Sequence, residues 1–277
     1  MHKIINAGIV VYNPNLVRLD ENISHIIKQV HSLIIVNNAS KNTTEIEALV
    51  EKYPTCKYIY LKENKGVAFA LNIIVKECLK ENIEYVITLD QDSVCCDNLV
   101  ENYKKYLDLP KLGQLCCLYK DRNFIEDNLP QYDGVKEVNW CITSASLLNN
   151  NVWKEVGGFD ENLFIDQVDY DICLSMGEKG YKIYQAGFIG FLHEIGEGKK
   201  IKVGKFEIKT WNHSPIRRYY GVRNAILVGR KHEELNNIRV ILGAVKHIFL
   251  IFIFEGDKWN KLKAGLKGLK EGIFIKQ

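Results

Sequence analysis

The segment YVITLDQDSVCC (residues 85–96) carries an apolar stretch straight into two aspartates one residue apart, Asp90 and Asp92. Asp-x-Asp at the end of a strand is a compact set of hard oxygen donors. Such a pair suits magnesium or manganese, ions that prefer carboxylate, water and substrate phosphate and could be held mainly by a diphosphate. The same pattern also ends strands as ordinary turn chemistry. A second acidic group, FDENLFIDQVDYD (159–171), holds Asp160, Glu161, Asp166, Asp169 and Asp171 beside Phe164 and Ile165. Carboxylates at a helix entry serve as caps and favour the helix dipole, but caps alone do not require so many beside large apolar residues. His193 follows the apolar run GFIGFL. It is either a satisfied structural histidine or the imidazole that completes the coordination begun by Asp92. In HSPIRRYYGVRN (213–224), Arg217, Arg218 and Arg223 could grip diphosphate oxygens in fork geometry. The alternative is a solvated helix face with core tyrosines.

These residues need a scaffold, and the first half of the chain supplies an alternation. Strand-like IINAGIVVY (4–12), SLIIV (32–36), CKYIYL (56–61) and YVITL (85–89) are separated by helical spacing in 16–30, 45–53 and 67–81. The pattern predicts βαβ units, a largely parallel sheet and helices on both faces. Ligands bind such sheets at the carboxyl ends of the strands, where Asp90 and Asp92 fall. Residues 121–134 read as a loop, 146–159 as a helix closed by Gly157 and Gly158, 168–180 as a helix closed by Gly180, and YKIYQAG as a strand. The stretch 194–214 reads as a mobile loop or a basic hairpin.

At 277 residues and 47% hydrophobic, the chain can bury a substantial core. Residues 193–277 carry 18 Lys and Arg against 8 Asp and Glu, a net +10, while residues 1–192 carry 19 against 26, a net −7. A basic back half points to an anionic partner such as phosphate or an acidic membrane face. A nucleic-acid partner is not expected, because no recognition module is visible there. The eight cysteines contain no C-x-x-C and no zinc spacing. With no secretory signal at the N-terminus, they read as reduced thiols of a cytosolic protein. IRVILGAVKHIFLIFIF (238–254) is short of a full bilayer span and is broken by Arg239, Lys246 and His247. With KWNKLKAGLKGLKEGIF behind it, the tail is either a pair of helices on a membrane surface or a core-packing helix followed by a solvated basic one.

In order along the chain, VVYNPN, IIVNNASKNT, ENKGVAFALN, LDQDS, GGFDENLFIDQVDYDICL, FLHEIG and HSPIRRYYGVRN resemble family-2 glycosyltransferases of the GT-A fold, especially the bacterial rhamnosyltransferase-like branch. The resemblance covers about residues 4–230. It implies an α/β fold with a Rossmann-like, mostly parallel sheet flanked by helices. Residues 1–235 are then the transferase domain and 236–277 a helical tail that could associate with a membrane. It places Tyr12, Asn37, Asn38, Asn64 and Gly66 at the nucleotide, with Ala68 and Asn72 further along, and Arg217 and Arg223 at the diphosphate. Asp92, Asp90 and His193 become ligands of Mn2+ or Mg2+, with Asp90 also near the ribose. Asp169 takes the place of the catalytic base, with Asp166 of the FID motif as the alternative. The implied reaction is inverting, metal-dependent transfer of L-rhamnose from dTDP-rhamnose to a saccharide acceptor, lipid-linked, in bacterial surface polysaccharide synthesis. The enzyme would sit in the cytoplasm, at the inner face of the membrane.

Two departures matter. Val36-Asn37-Asn38 stands where the family has Val-Asp-Asn, so the side chain there can accept a hydrogen bond from a pyrimidine but brings no charge. Val168-Asp169 stands where many relatives have Glu-Asp. A UDP-hexose or UDP-N-acetylhexosamine transferase is the alternative enzyme, and a non-catalytic assembly partner the alternative of another class. A sugar-nucleotide pyrophosphorylase is disfavoured because VVYNPN supplies no glycine-rich phosphate loop.

Overall fold

The computed structural model describes residues 3–124, 131–193, 198–203 and 206–275. The chain divides into two compact units, one of Met1–Asn162 with Asp169–Glu194, the other of Leu163–Val168 with Ile195–Gln277.

In the first unit, β1 (Ile5–Val11), β2 (Leu33–Asn37), β3 (Cys56–Tyr60) and β4 (Tyr85–Asp90) alternate with α1 (Leu16–Ile26), α2 (Thr43–Val50) and α3 (Val67–Lys80). β1 lies between β2 and β4, and β2 pairs with β3, all in parallel. Every residue of β2 is buried, and β1 and β4 nearly so, as expected for strands covered on both faces. Then come β5 (Val94–Cys95), α4 (Leu99–Lys104), β6 (Leu112–Asp121), β7 (Val135–Val138), β8 (Ser146–Asn149), α5 (Asn150–Glu155), α6 (Val168–Glu178) and β9 (Lys182–His193). The sheet runs β3-β2-β1-β4-β8-β6-β9-β5, with β7 paired to β9. It is parallel through β4 and mixed beyond, where β8 is antiparallel to both β4 and β6.

Three elements differ from the sequence expectation. The helix expected from 146 is a strand until Asn149, because Ser146–Asn149 pairs with β4; the Asn149 side chain then accepts the N–H groups of Asn151 and Val152 and starts α5. α1 ends at Ile26, not at 30. The expected loop 121–134 follows β6, whose last residue is Asp121, and a 3₁₀ turn at Arg122–Phe124; residues 125–130 lie outside the described residues. The cysteines are free. Burial pushes the Cys78 and Cys95 thiols up to about 12, so they behave as small apolar side chains.

In the second unit, β10 (Lys199–Val203) pairs antiparallel with β11 (Phe206–Thr210), which supports the hairpin alternative for the basic stretch. α7 (Pro215–Lys231), α8 (Asn237–Phe254) and α9 (Lys258–Phe274) follow. Compact packing therefore groups α7 with the tail helices, whereas the sequence grouped it with the strands. Val222 and Ile226 of α7 cluster with Ala244 and Ile248 of α8. Glu255 is buried between Arg218 and Lys261 and accepts the Thr210 hydroxyl at 2.6 Å, so its charge is matched where the three helices meet. Glycines let α9 lie directly on α7: a Cβ at Gly268 would stand 2.4 Å from the Tyr219 carbonyl oxygen, and one at Gly272 2.9 Å from that of Arg223. The loop 163–168 carries positive φ at Phe164 (57°), Asp166 (65°) and Gln167 (67°). Each costs on the order of 1–3 kcal/mol and persists only where surroundings impose it.

Gly268→Ala should lower the thermal unfolding midpoint by an amount corresponding to roughly 1–3 kcal/mol, because backbone cannot yield as a side chain can. Gly243→Ala, where a Cβ meets nothing within 4 Å, should be neutral or raise it by up to about 1 kcal/mol through helix propensity.

Candidate active site

The site begins where β4 leaves the sheet. After Asp90 the chain turns, with the Ser93 N–H donating to the Asp90 carbonyl at 3.2 Å. The turn is fixed from two sides. Gln91 Oε1 accepts the Tyr12 N–H at the end of β1 (2.8 Å), and the Asn22 amide of α1 donates to the Asp90 carbonyl (2.8 Å). β5 then pairs antiparallel with β9, Val94 opposite Leu192 and Cys95 opposite Phe191. That register brings His193, the last residue of β9, beside Ser93.

One potential ligand atom each from Asp90, Asp92 and His193 lies within 4.8 Å of the others. His193 Nε2 is 3.7 Å from Asp90 Oδ2, and Nδ1 is 3.6 Å from Asp92 Oδ1. Burial alone would lower the His193 pKa, but the carboxylates of Asp92, Asp90 and Asp121 outweigh it and hold it above its ordinary value. Asp92 Oδ1 is buried and has no hydrogen-bond partner among the described residues. An orphaned carboxylate oxygen beside a second carboxylate and an imidazole fits a divalent cation, and this donor set suits Mn2+ or Mg2+.

Behind the imidazole runs a pair of buried hydroxyls. Ser93 Oγ is 2.8 Å from His193 Nδ1, Ser144 Oγ donates to Ser93 at 2.6 Å, and Ser144 in turn accepts the Asp90 N–H at 3.2 Å. Hydroxyls can reverse direction, so this pair can serve either histidine tautomer while fixing the ring. Tyr119 packs edge-on to the imidazole, centroids 5.8 Å apart. Its hydroxyl pKa is raised mainly by burial, then by the charges of Asp121 and Asp169. Asp169 stands in the first turn of α6, where its carboxylate accepts the Tyr170 N–H at 2.9 Å.

The asparagines expected at the nucleotide meet at the ends of β2 and β3, with their amides engaged in protein contacts. Asn37 accepts the Ser40 N–H (2.9 Å) and donates to the Tyr58 hydroxyl (2.7 Å). Asn38 donates to Asn64 Oδ1 (2.9 Å) and the Gly66 carbonyl (3.1 Å) and accepts the Lys65 N–H (2.9 Å). Asn38 thus staples the 64–66 turn to β2. Gly66, at φ 86° before α3, occupies a conformation that a side chain would disfavour. Asn72 binds the Phe159 backbone through both N–H and carbonyl and reaches Glu161 at 2.8 Å. Tyr12 is 46% exposed.

Asp166, Arg217 and Arg223 belong to the second unit. There Arg217 Nε pairs with Asp166 at 3.1 Å, and Arg223 lies over the rings of Tyr219 and Tyr220. Sequence reasoning missed Ser144, Gln91 and Tyr119. Ser93 stood beside the aspartates, but its partner lies 51 residues away and only the folded sheet joins them.

The profile of Glycosyl transferase family 2 matches residues 7–160. Across 99% of this chain and 96% of the relative, the sequence is 30% identical to dTDP-rhamnosyl transferase RfbF of Shigella flexneri. It is 38% identical to the poly-beta-1,6-N-acetyl-D-glucosamine synthase of Staphylococcus epidermidis over 86 residues, 29% of this chain and 19% of that one. Among solved structures, the mannosyltransferase PcManGT from Pyrobaculum calidifontis, in complex with GDP-Man and Mn2+, superposes with TM-score 0.62 at 13% identity over 99% of this chain and 88% of its own. S. aureus TarS 1–349 does so with TM-score 0.60 at 13% identity over 97% and 81%. With a GT-A fold, a family profile spanning more than half its length and a relative matched almost end to end, the chain belongs to glycosyl transferase family 2 and is a rhamnosyltransferase-like glycosyltransferase.

Proposed function

We infer that the protein transfers L-rhamnose from dTDP-rhamnose to a saccharide acceptor with inversion. The observation that carries the donor is the near full-length identity to the dTDP-rhamnosyl transferase of Shigella flexneri. Asp90, Asp92 and His193 would hold Mn2+ or Mg2+, and the Mn2+ in the complex of the mannosyltransferase neighbour supports that reading. When bound, the ion supplies positive charge against the departing diphosphate. Tyr12, Asn37, Asn38, Asn64 and Gly66 form the nucleotide rim, with Asn38 shaping its turn. Arg217 and Arg223 are the arginines that the resemblance assigns to the diphosphate.

Asp169 accepts the proton of an acceptor hydroxyl as that oxygen bonds to the anomeric carbon. The bond from that carbon to the diphosphate oxygen breaks, its electron pair leaves with the nucleoside diphosphate, and the configuration inverts. Its place in the first turn of α6, in the same unit as the metal-ligand candidates, supports Asp169 over Asp166. A UDP-hexose or UDP-N-acetylhexosamine donor is the second reading, favoured by the segment resembling the poly-N-acetylglucosamine synthase.

The acceptor would be lipid-linked and used at the cytoplasmic face of the membrane in surface polysaccharide synthesis. By length and composition α8 could cross a bilayer, with mean hydropathy 1.8 and 17% of it buried. Ala244, Ile248 and Ile251 nevertheless face its own unit, while Ile238, Leu242, Val245, Phe249 and Ile253 form an exposed stripe. Lys258, Lys263, Lys267 and Lys270 on α9 add positive charge. An apolar stripe with lysines nearby suits a helix lying in an anionic lipid surface.

Calorimetric titration should give manganese-dependent binding of dTDP, tighter than UDP; the reverse order would move the donor to a UDP-sugar. Asp92→Ala should abolish the metal dependence, and Ser93→Ala should weaken manganese binding by about 10–100-fold by freeing the imidazole. Asp169→Asn should keep donor affinity and lose transfer by about 10³-fold. In vesicle sedimentation the protein should pellet with anionic lipid and remain in solution after Leu242→Asp with Phe249→Asp. Absence of binding by the wild type would remove the membrane from the proposal.

A further inference from the structure

One face of α7 is given over to a single loop. Arg217, Tyr220, Gly221 and Asn224 stand at i, i+3, i+4 and i+7, a continuous helical stripe. All four meet residues 163–168, which join the same compact unit as α7 although they lie between parts of the other unit in sequence. Arg217 Nε reaches Asp166 Oδ1 at 3.1 Å. The Tyr220 ring stacks on Phe164, centroids 4.9 Å apart and 15° between planes. A Cβ at Gly221 would stand 3.5 Å from Asp166 Oδ2, so the carboxylate packs against the helix at the residue lacking a side chain.

Asn224 does most. Its side chain is fully buried, and the two N–H groups of its amide are shared among the carbonyls of Leu163, Ile165 (2.7 Å) and Asp166 (3.1 Å). Its oxygen accepts from Arg223 Nε at 3.0 Å, which orients the amide with its nitrogen toward the loop. One side chain thus ties three carbonyls of a segment in which Phe164, Asp166 and Gln167 all have positive φ. Backbone in that region reverts unless something holds it, and such strain concentrates at functional sites. The loop ends at Val168, the first residue of α6, and the next residue is Asp169.

We propose that the α7 stripe is a positioning device for the catalytic segment: Asn224 and its neighbours impose the left-handed loop that sets how α6 begins and therefore where Asp169 points. Asp166 is the anchor of that loop to Arg217 and not the proton acceptor. The inference rests on the reading of Asp169 as the base. Asn224 and Arg217 act through the loop and are positioning residues.

The test combines hydrogen exchange of peptides covering 160–172 with release of dTDP from dTDP-rhamnose, water serving as acceptor. Asn224→Ala should speed exchange in the loop and lower turnover by about 10²-fold, the scale of a small misplacement of reacting groups. Nucleoside diphosphate affinity should stay within about twofold of wild type, the split expected when only the chemical step is touched. Tyr220→Leu, which removes the ring that stacks on Phe164 and lies under Arg223, should give the same pattern more weakly and serves if Asn224→Ala does not fold. Asp166→Asn should resemble these variants and not the about 10³-fold loss of Asp169→Asn. Fast loop exchange with undiminished turnover overturns the positioning role, as does nucleotide affinity falling in step with turnover. If Asp169→Asn is active and Asp166→Asn is not, the base assignment fails and the anchor role of Asp166 with it; the exchange and turnover of Asn224→Ala still decide whether the loop is positioned by α7.

Discussion

The candidate site depends on one short antiparallel pairing. β5 is two residues long, yet Val94 opposite Leu192 and Cys95 opposite Phe191 fix the only register in which His193 stands beside the Asp90–Ser93 turn. A slip of one residue would turn His193 to the other face of the sheet. The register is guarded from beyond β5: β9 also pairs in parallel with β6, which puts Asp121 opposite His193, and the buried Ser93–Ser144 hydroxyls leave no slack behind the imidazole. Strands distant in sequence thus share responsibility for three side chains, and the carboxylates can be crowded together because the sheet opposes their repulsion.

What the sequence made legible follows from the range of the forces involved. Apolar periodicity is local, and β1 to β4 with their helices could be read from it. Asp90 and Asp92 were legible because two carboxylates at the end of an apolar run are unusual in themselves. β8 was not: SLLNNNVWKEV satisfies helical spacing, and only its pairing with β4, some 60 residues earlier, makes Ser146–Asn149 a strand. The hydroxyl pair behind His193 and the amide of Asn224 over the 163–168 carbonyls were invisible for the same reason. Each joins segments whose proximity is a product of folding, and neither serine nor asparagine is uncommon enough to draw notice. Asn38 was legible as a site residue by resemblance, but its work as a staple between β2 and the 64–66 turn emerges only from its hydrogen bonds.

The two units divide their labour by the kind of contact that holds them. The first is stabilised by β-branched and aliphatic residues between sheet and helices, with single buried polar side chains such as Asn22, Asn72 and Gln114 among them. The second has a smaller apolar cluster and relies on a buried charge set around Glu255 and on glycine-mediated helix approach. Matched buried charges contribute little net stability but penalise misalignment heavily. That property suits helices whose task is to present one stripe to a loop and another to the outside.

Gln91 gives the middle letter of Asp-Gln-Asp a meaning that the motif notation hides. Its amide oxygen closes on the Tyr12 N–H and so ties the end of β1 to the turn between the two aspartates. Asparagine is one methylene too short to make the same bridge, and an aliphatic residue would leave the Tyr12 donor to water. Glutamate has the reach but would add a third negative charge to the cluster. The position is therefore a joint of fixed length and fixed neutrality, and in this chain the vocabulary open to the variable letter shrinks almost to the residue already there.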